Sequence, residues 1–256
     1  NHYHIVLHVN KHKADNWNTD EVITRWHQLF TGTLLSQRYI KGEALCKAER
    51  DTLNERVILW RSRLMDISWY MRVLNESIAR QANTEDDCTG RFWEGRFRSQ
   101  ALLDEAALAA CMAYVDLNPL RSKLADTPEA SLHTSIRQRF NAEKTNSHQP
   151  DGLFPFVGNP RRSMPEGLPF KLTDYLELVD WTGRIIREDK RGHIASSLPP
   201  ILQRLNMASN NWLYLSQHFE SPFKGLVGSV FKLREACKKL KYQRTPGITS
   251  CDSYFP

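Results

Sequence analysis

The chain has 256 residues, of which 41% are apolar, so it is long enough for one large or two small cores and is not disordered throughout. It contains no run of about 18 apolar residues, and we expect neither a transmembrane helix nor a signal peptide. The net charge of +6 favours an anionic partner. The five cysteines are scattered and form no CxxC pair, which disfavours a disulfide framework or cysteine zinc site and fits a reducing cytoplasm.

The first predicted element is a strand over residues 2–9, where apolar residues alternate with histidines. Asn18 or Thr19 is a candidate cap for a helix, and further helices are predicted over 43–64 and from Asp66. A second strand is predicted over 97–101. Asp104 can cap a helix that Asn118-Pro119 stops.

The second half of the chain differs from the first in composition and in hydrophobic pattern. Residues 141–164 are rich in Asn, Ser, Pro and Gly, which is typical of a linker, and from Thr173 onward the pattern is helical without strand signals. We therefore predict an α+β module over 1–135, a linker over 136–168 and an all-helical extension over 169–256. Because the first residue is Asn and lies inside a strand pattern, we interpret the sequence as a fragment whose natural start lies upstream.

Two histidines share one face of the first predicted strand. A period of two places His2 and His4 side by side, and two imidazoles at this spacing can bind one divalent metal ion. The alternative is a solvated or hydrogen-bonded histidine pair, because nine histidines produce about 0.3 such matches by chance. His8 lies on the same face roughly 13 Å from His4, so we interpret it as structural, or at most as a residue that supports a metal ligand without touching the ion.

A tyrosine and an amide share one face of the helix that begins at Asp104. Tyr114 and Asn118 are four positions apart, which makes them neighbours on one face of a helix. The phenol and the amide oxygen could therefore serve as nucleophile and metal ligand. The alternative is a packed tyrosine followed by an asparagine that caps the helix before proline. Tyr70 is a rival nucleophile, but the residue four positions after it is Leu74, which cannot bind a metal.

Cations alternate with aromatic rings in residues 91–98. Arg91, Arg96 and Arg98 are candidate contacts for the phosphates of single-stranded DNA. The alternation is equally typical of a strand whose rings Trp93 and Phe97 lie in the core while the arginines face solvent. Arg121 has the same two interpretations, a phosphate contact or a solvated side chain.

Three motifs together resemble one family. Asn1-His2-Tyr3-His4-Ile5-Val6-Leu7 resembles the histidine–hydrophobic–histidine motif of single-tyrosine HUH transposases. Phe92-Trp93-Glu94-Gly95-Arg96-Phe97 resembles the family's W-x-G-R-F segment, and Tyr114-Val115-Asp116-Leu117-Asn118-Pro119-Leu120-Arg121 resembles its Y-x-x-x-N-P helix end. Order and spacing agree best with the REP-associated tyrosine transposases, over about residues 1–135.

The resemblance implies a fold and a reaction. The fold would be an incomplete ferredoxin-like module that lacks the strand, helix and strand that precede the histidine motif in the family. Tyr114 would attack a phosphodiester of single-stranded or hairpin DNA from repetitive elements and form a 5′-phosphotyrosine, with Mg²⁺ or Mn²⁺ held by His2, His4 and Asn118. No nucleotide cofactor and no membrane are expected, and a monomer and a homodimer are both open.

Two other functions fit the residues. One is a catalytically inactive DNA-binding protein derived from such a transposase, and the other is a metal-dependent hydrolase that uses His2 and His4 without a covalent step. A covalent adduct between protein and DNA would distinguish the transposase mechanism with a Tyr114 nucleophile from both of these functions. Basic clusters in the extension are either extra hairpin contacts or solvated faces: Arg187, Lys190 and Arg191, and Lys238, Lys239 and Lys241.

Overall fold

The computed structural model of the chain describes residues 2–158, 166–187 and 199–256, and these fall into two compact units. One unit is Leu7–Arg98, and the other combines the chain up to Val6 with Ser99–Pro256. Lys190 and Arg191 lie outside the described residues. No helix in the described ranges combines the length and the apolar composition needed to cross a membrane.

The unit Leu7–Arg98 is built from helices around a tryptophan-rich core. The rings of Trp26 and Trp60 stack with their centroids 5.0 Å apart, and both side chains are buried with Val22, Leu53 and Val57. Large aromatic surfaces of this kind contribute strongly to burial in a small unit. Its helices are α1 (Lys11–Asp15), α2 (Thr19–His27), α3 (Leu34–Ile40), α4 (Lys47–Leu64) and α5 (Ile67–Glu85).

The second unit has a larger core built on an alanine-rich helix. Ala107, Ala110 and Ala113 are buried, and their small side chains allow a helix that carries Trp212 and Leu215 to pack closely. Its elements are β1 (Ala101–Leu102), α6 (Glu105–Asp116), α7 (Asn118–Arg121), α8 (Ser135–Lys144), α9 (Leu172–Ile186), α10 (Pro200–Arg204), α11 (Ser209–His218), β2 (Leu226–Val227), α12 (Val230–Lys239) and α13 (Ile248–Tyr254).

A buried carboxylate joins α6 to the helices that follow it. Asp116 accepts hydrogen bonds from the hydroxyls of Tyr175 at 2.6 Å and Ser135 at 2.9 Å. Burial is the main cause that raises the pKa of Asp116, and the two hydroxyl donors act against it. These bonds hold the last turn of α6, two residues after Tyr114, against α8 and α9.

The predicted ferredoxin-like α+β module is wrong. Residues 2–9 form no strand, and the one sheet among the described residues pairs β1 with β2 in parallel, with Ala101 opposite Leu226 and Leu102 opposite Val227. The alternation in residues 2–9 describes an extended segment, but a strand also requires a neighbouring backbone. The apolar set is turned outward, with Ile5 and Leu7 each 40% exposed, while Val6 packs on the core.

The helix starts were predicted better than the strands. Side chains of Asn18 and Asp104 accept hydrogen bonds from backbone N–H groups in the first turns of α2 and α6, which confirms these predicted caps. The helix predicted to start near Asp66 is α5, and the Asp66 side chain caps it. The strand predicted over 97–101 overlaps the observed strand only at Ala101, because β1 is Ala101–Leu102. Helix α8 lies at the beginning of the segment predicted to be a linker, and residues 159–165 of that segment lie outside the described residues.

Candidate active site

His4 has different surroundings at its two ring nitrogens. Nδ1 lies 3.2 Å from Oε1 of Glu220, which follows α11 in the chain, and Nε2 is buried without a hydrogen-bond partner among the described residues. Burial lowers the pKa of His4, although the negative charge of Glu220 acts in the opposite direction. The imidazole is therefore neutral at neutral pH, which is the form that binds metal ions.

Rings from two distant stretches of the chain meet beside His4. The ring centroids of His2 and His4 are 5.0 Å apart, and those of His4 and Tyr114 are 5.7 Å apart, both in edge-to-face geometry. The ring centroid of Phe219 lies 6.2 Å from that of Tyr114. The structure thus brings together the histidine pair and the tyrosine that the sequence singled out.

Tyr114 lies near the end of α6, next to the buried face that carries Ala110 and Ala113. Burial raises the pKa of its hydroxyl, and the negative charge of Glu220 raises it further, while the positive charge of Arg121 lowers it. The hydroxyl is therefore protonated at neutral pH. To act as a nucleophile it must lose its proton as it attacks, and its target must be polarised.

The Arg121 guanidinium makes its contacts with other residues of the same unit. Its Cζ lies 3.9 Å from the ring centroid of Tyr114, and Nη1 donates to the carbonyl oxygens of Tyr114 at 2.7 Å and Ser216 at 2.9 Å. Nη2 lies 3.3 Å from Oδ1 of Asn118 and donates to it. These contacts connect α6, α7 and α11, so the side chain holds the tyrosine in place, a role that neither sequence interpretation of Arg121 included.

Asn118 is the first residue of α7, directly after the end of α6, and Leu117 caps α6 in its place. Its amide oxygen accepts from Arg121, and a carbonyl oxygen has a second lone pair for another partner. Among the described residues, no group of three or more His, Cys, Asp or Glu side chains is arranged to hold a metal ion. A metal here would therefore depend on His2, His4, the Asn118 amide and non-protein oxygen atoms.

The chemistry of this donor set fits a divalent cation at the histidine end. The buried Nε2 of His4 is an orphaned polar atom, and a histidine that binds a metal commonly donates its other ring N–H to a carboxylate, as the Nδ1 contact with Glu220 allows. Mixed imidazole and oxygen ligands suit Mn²⁺ well and Mg²⁺ less well.

The arginines predicted to bind DNA lie in the unit Leu7–Arg98, apart from Arg121. Arg91 donates to the carbonyl oxygens of Trp93 at 2.7 Å and Glu94 at 2.5 Å, so it shapes its own loop. Arg96 and Arg98 are exposed. Phe97, for which a core position was one interpretation, is 37% exposed. The loop offers cations and an aromatic surface to solvent.

Sequence reasoning missed Glu220. The residue stands in the stretch Ser216-Gln217-His218-Phe219-Glu220, where no motif or spacing marks it. The only signal in the chain was that a histidine metal ligand usually has a carboxylate partner, and the sequence has 29 acidic residues to choose from. Tyr70, the rival nucleophile, lies on α5 in the other unit and is 45% exposed.

His4, Tyr114, Asn118, Arg121 and Glu220 lie in one compact unit and are linked there by pairwise contacts. Comparisons of the chain with protein-family models, with curated proteins and with solved structures find no match.

Proposed function

We propose that the protein is a metal-dependent endonuclease and ligase for single-stranded DNA, of the transposase type, with Tyr114 as nucleophile. The observation that carries this proposal is the 5.7 Å approach of the His4 and Tyr114 rings. The two residues belong to separate motifs far apart in the chain, and each has a role in the proposed reaction. The resemblance of both motifs to single-tyrosine HUH transposases adds to this support.

The proposed reaction begins with attack of the Tyr114 oxygen on a phosphorus of the DNA. The new bond joins this oxygen to phosphorus, and the bond from phosphorus to the 3′ oxygen breaks. The phenolic proton leaves to solvent or a nearby base, and the released 3′ oxygen takes up a proton. The product is a 5′-phosphotyrosine and a free 3′ hydroxyl. Attack by a 3′ hydroxyl reverses the step without ATP, because the phosphotyrosine retains the bond energy.

The residues around Tyr114 have distinct proposed roles. His2, His4 and Asn118 would hold Mg²⁺ or Mn²⁺, which when bound supplies the positive charge that polarises the scissile phosphate. Arg121 holds the Tyr114 ring and backbone in position. Arg91, Arg96 and Arg98 are proposed to contact the DNA backbone, with Arg91 also constraining its loop.

A catalytically inactive DNA-binding protein is the second candidate. Its supporting observation is that the Asn118 oxygen already accepts from the Arg121 guanidinium, which places a positive charge next to a proposed metal ligand. Burial also raises the pKa of Tyr114. Both features would suit a site that binds the DNA strand and does not cut it.

Replacing Tyr114 by Phe tests the proposed reaction. The full chain is incubated with Mn²⁺ and labelled single-stranded DNA that contains a hairpin, and covalent adducts are resolved on a denaturing gel. We expect an adduct with the unaltered chain and none with Tyr114→Phe, whose DNA binding should persist because only the attacking oxygen is removed. Tyr70→Phe is the matched control and should retain the adduct.

The second candidate predicts DNA binding without any adduct. A metal-dependent hydrolase predicts cleavage that survives in Tyr114→Phe. An adduct that disappears in Tyr70→Phe and persists in Tyr114→Phe would assign the nucleophile to the other unit and contradict the proposal.

A further inference from the structure

Glu220 reaches His4 from the helical second half of the chain. Its Oε1 lies 3.2 Å from Nδ1 of His4, and His4 is the more buried of the two, with 19% of its side-chain area exposed against 58% for Glu220. A carboxylate oxygen accepts hydrogen bonds and has no proton to donate. A hydrogen bond across this contact therefore requires the proton on Nδ1 of the imidazole.

This proton position determines what the other ring nitrogen can do. In a neutral imidazole, a proton on Nδ1 leaves a lone pair on Nε2. Nε2 is buried and has no hydrogen-bond partner among the described residues. Buried polar atoms normally have partners, so an orphaned lone pair indicates a place for a ligand that accepts electrons.

We propose that Glu220 is a positioning residue that holds His4 in the Nδ1–H tautomer and thereby directs the Nε2 lone pair at a divalent cation. This inference rests on the proposed function, because the cation is the one that the proposed cleavage requires. It assigns a role in the site to the segment that follows α11, which lies outside residues 1–135 and their three motifs. Without the carboxylate, either ring nitrogen could carry the proton, and only one of the two tautomers would present Nε2 to a metal.

The tautomer can be measured directly by long-range ¹H–¹⁵N NMR on the metal-free full chain labelled with ¹⁵N in histidine. The His4 signals are assigned by their loss in His4→Asn. We expect the Nδ1–H tautomer in the unaltered chain and in Glu220→Asp, which keeps the carboxylate. In Glu220→Gln we expect a mixture of tautomers, because the amide can either accept from or donate to Nδ1.

Mn²⁺ affinity, measured by electron paramagnetic resonance with the metal alone, provides the second readout. We expect Glu220→Gln to weaken Mn²⁺ binding about 10- to 100-fold, which is the usual effect of removing a partner of a metal-bound histidine. Glu220→Asp should recover part of this loss. Glu235→Gln is the matched control, because Glu235 pairs with Lys232 and Lys239 in the same unit and should leave tautomer and affinity unchanged.

Two results would overturn the inference. One is an Nε2–H tautomer of His4 in the unaltered chain, which needs no variant to fold. The other is a Glu220→Gln variant with the tautomer and Mn²⁺ affinity of the unaltered chain. Failure of the proposed function would appear separately, as the absence of a Tyr114 adduct, and the tautomer would still decide the role of Glu220.

Discussion

The guanidinium of Arg121 lies between the candidate nucleophile and helix α11. Its planar fork serves two carbonyl oxygens and the Asn118 amide while its face covers the Tyr114 ring, an arrangement that a lysine ammonium cannot reproduce. Its positive charge also opposes the effect of burial on the Tyr114 pKa. One side chain therefore contributes both to the position and to the acidity of the phenol.

Replacing Arg121 by Met is expected to destabilise the protein by about 1–3 kcal/mol, because the carbonyl oxygens of Tyr114 and Ser216 lose their donor. Adduct formation should fall as well, since the Tyr114 ring loses its restraint and the lowering effect on its pKa. Urea unfolding measures the first effect. The control is Arg184→Met, which removes a surface guanidinium 75% exposed beside Asp180 and should change stability by less than about 0.5 kcal/mol. Equal losses in both variants would contradict this role for Arg121.

Among the helices, α4 shows how a local cap is connected to a neighbouring element. The Glu49 carboxylate accepts from the backbone N–H of Cys46 at 2.8 Å and from Nη1 of Arg38 at 2.6 Å, so it both caps α4 and binds α3. The backbone hydrogen bond and the one from Arg38 lower the pKa of Glu49. One ionised group thus takes part both in the helix start and in a contact between α3 and α4.

The lowered pKa of Glu49 predicts a pH-dependent contribution to stability. In the folded state the carboxylate is favoured relative to the unfolded chain, so its contribution is present above the ordinary carboxyl pKa of about 4.3 and is lost as pH falls through the folded value. Glu49→Gln should therefore lower Tm at neutral pH, and the difference should shrink towards pH 3. The matched control is Glu55→Gln, an exposed acid on the same helix. A difference independent of pH would contradict the prediction.

For the whole molecule, the net charge of +6 predicts binding to nucleic acid that weakens with salt. Removing one cation that binds a phosphate of single-stranded DNA should reduce the slope of log affinity against log salt by about 0.7. We expect Arg96→Ala with Arg98→Ala to weaken binding and to flatten this slope by roughly 1.4 in total. Fluorescence anisotropy over a salt series measures both quantities.

Lys238→Ala with Lys239→Ala tests the helical second half in the same assay. These lysines close helix α12, where Lys239 lies 3.5 Å from Glu235 and is 75% exposed. If the slope changes in the lysine double variant and stays the same in the arginine double variant, the DNA binds at α12 and not at the loop around Trp93. An affinity insensitive to salt would contradict phosphate binding by either surface.

The sequence was informative wherever a structure depends on neighbours along the chain. The caps at Asn18 and Asp104 were predicted because each hydrogen bond spans three residues. The candidate pair Tyr114 and Asn118 was found for the same reason, from its helical spacing. The strand over residues 2–9 failed because alternation describes one strand only, and the neighbour that makes a sheet is not encoded in that segment.

By itself, the sequence determined the starts of α2, α5 and α6 and the two motifs that contain His4 and Tyr114. Tertiary structure decided that these motifs meet, that Arg121 binds inside the unit and that Glu220 contacts His4. Helix caps are formed by hydrogen bonds within one turn, so the residue types at neighbouring positions are enough to predict them. Contacts between residues far apart in the chain are selected by the packing of α6 against α11, which depends on the complete core and leaves no local pattern at Glu220.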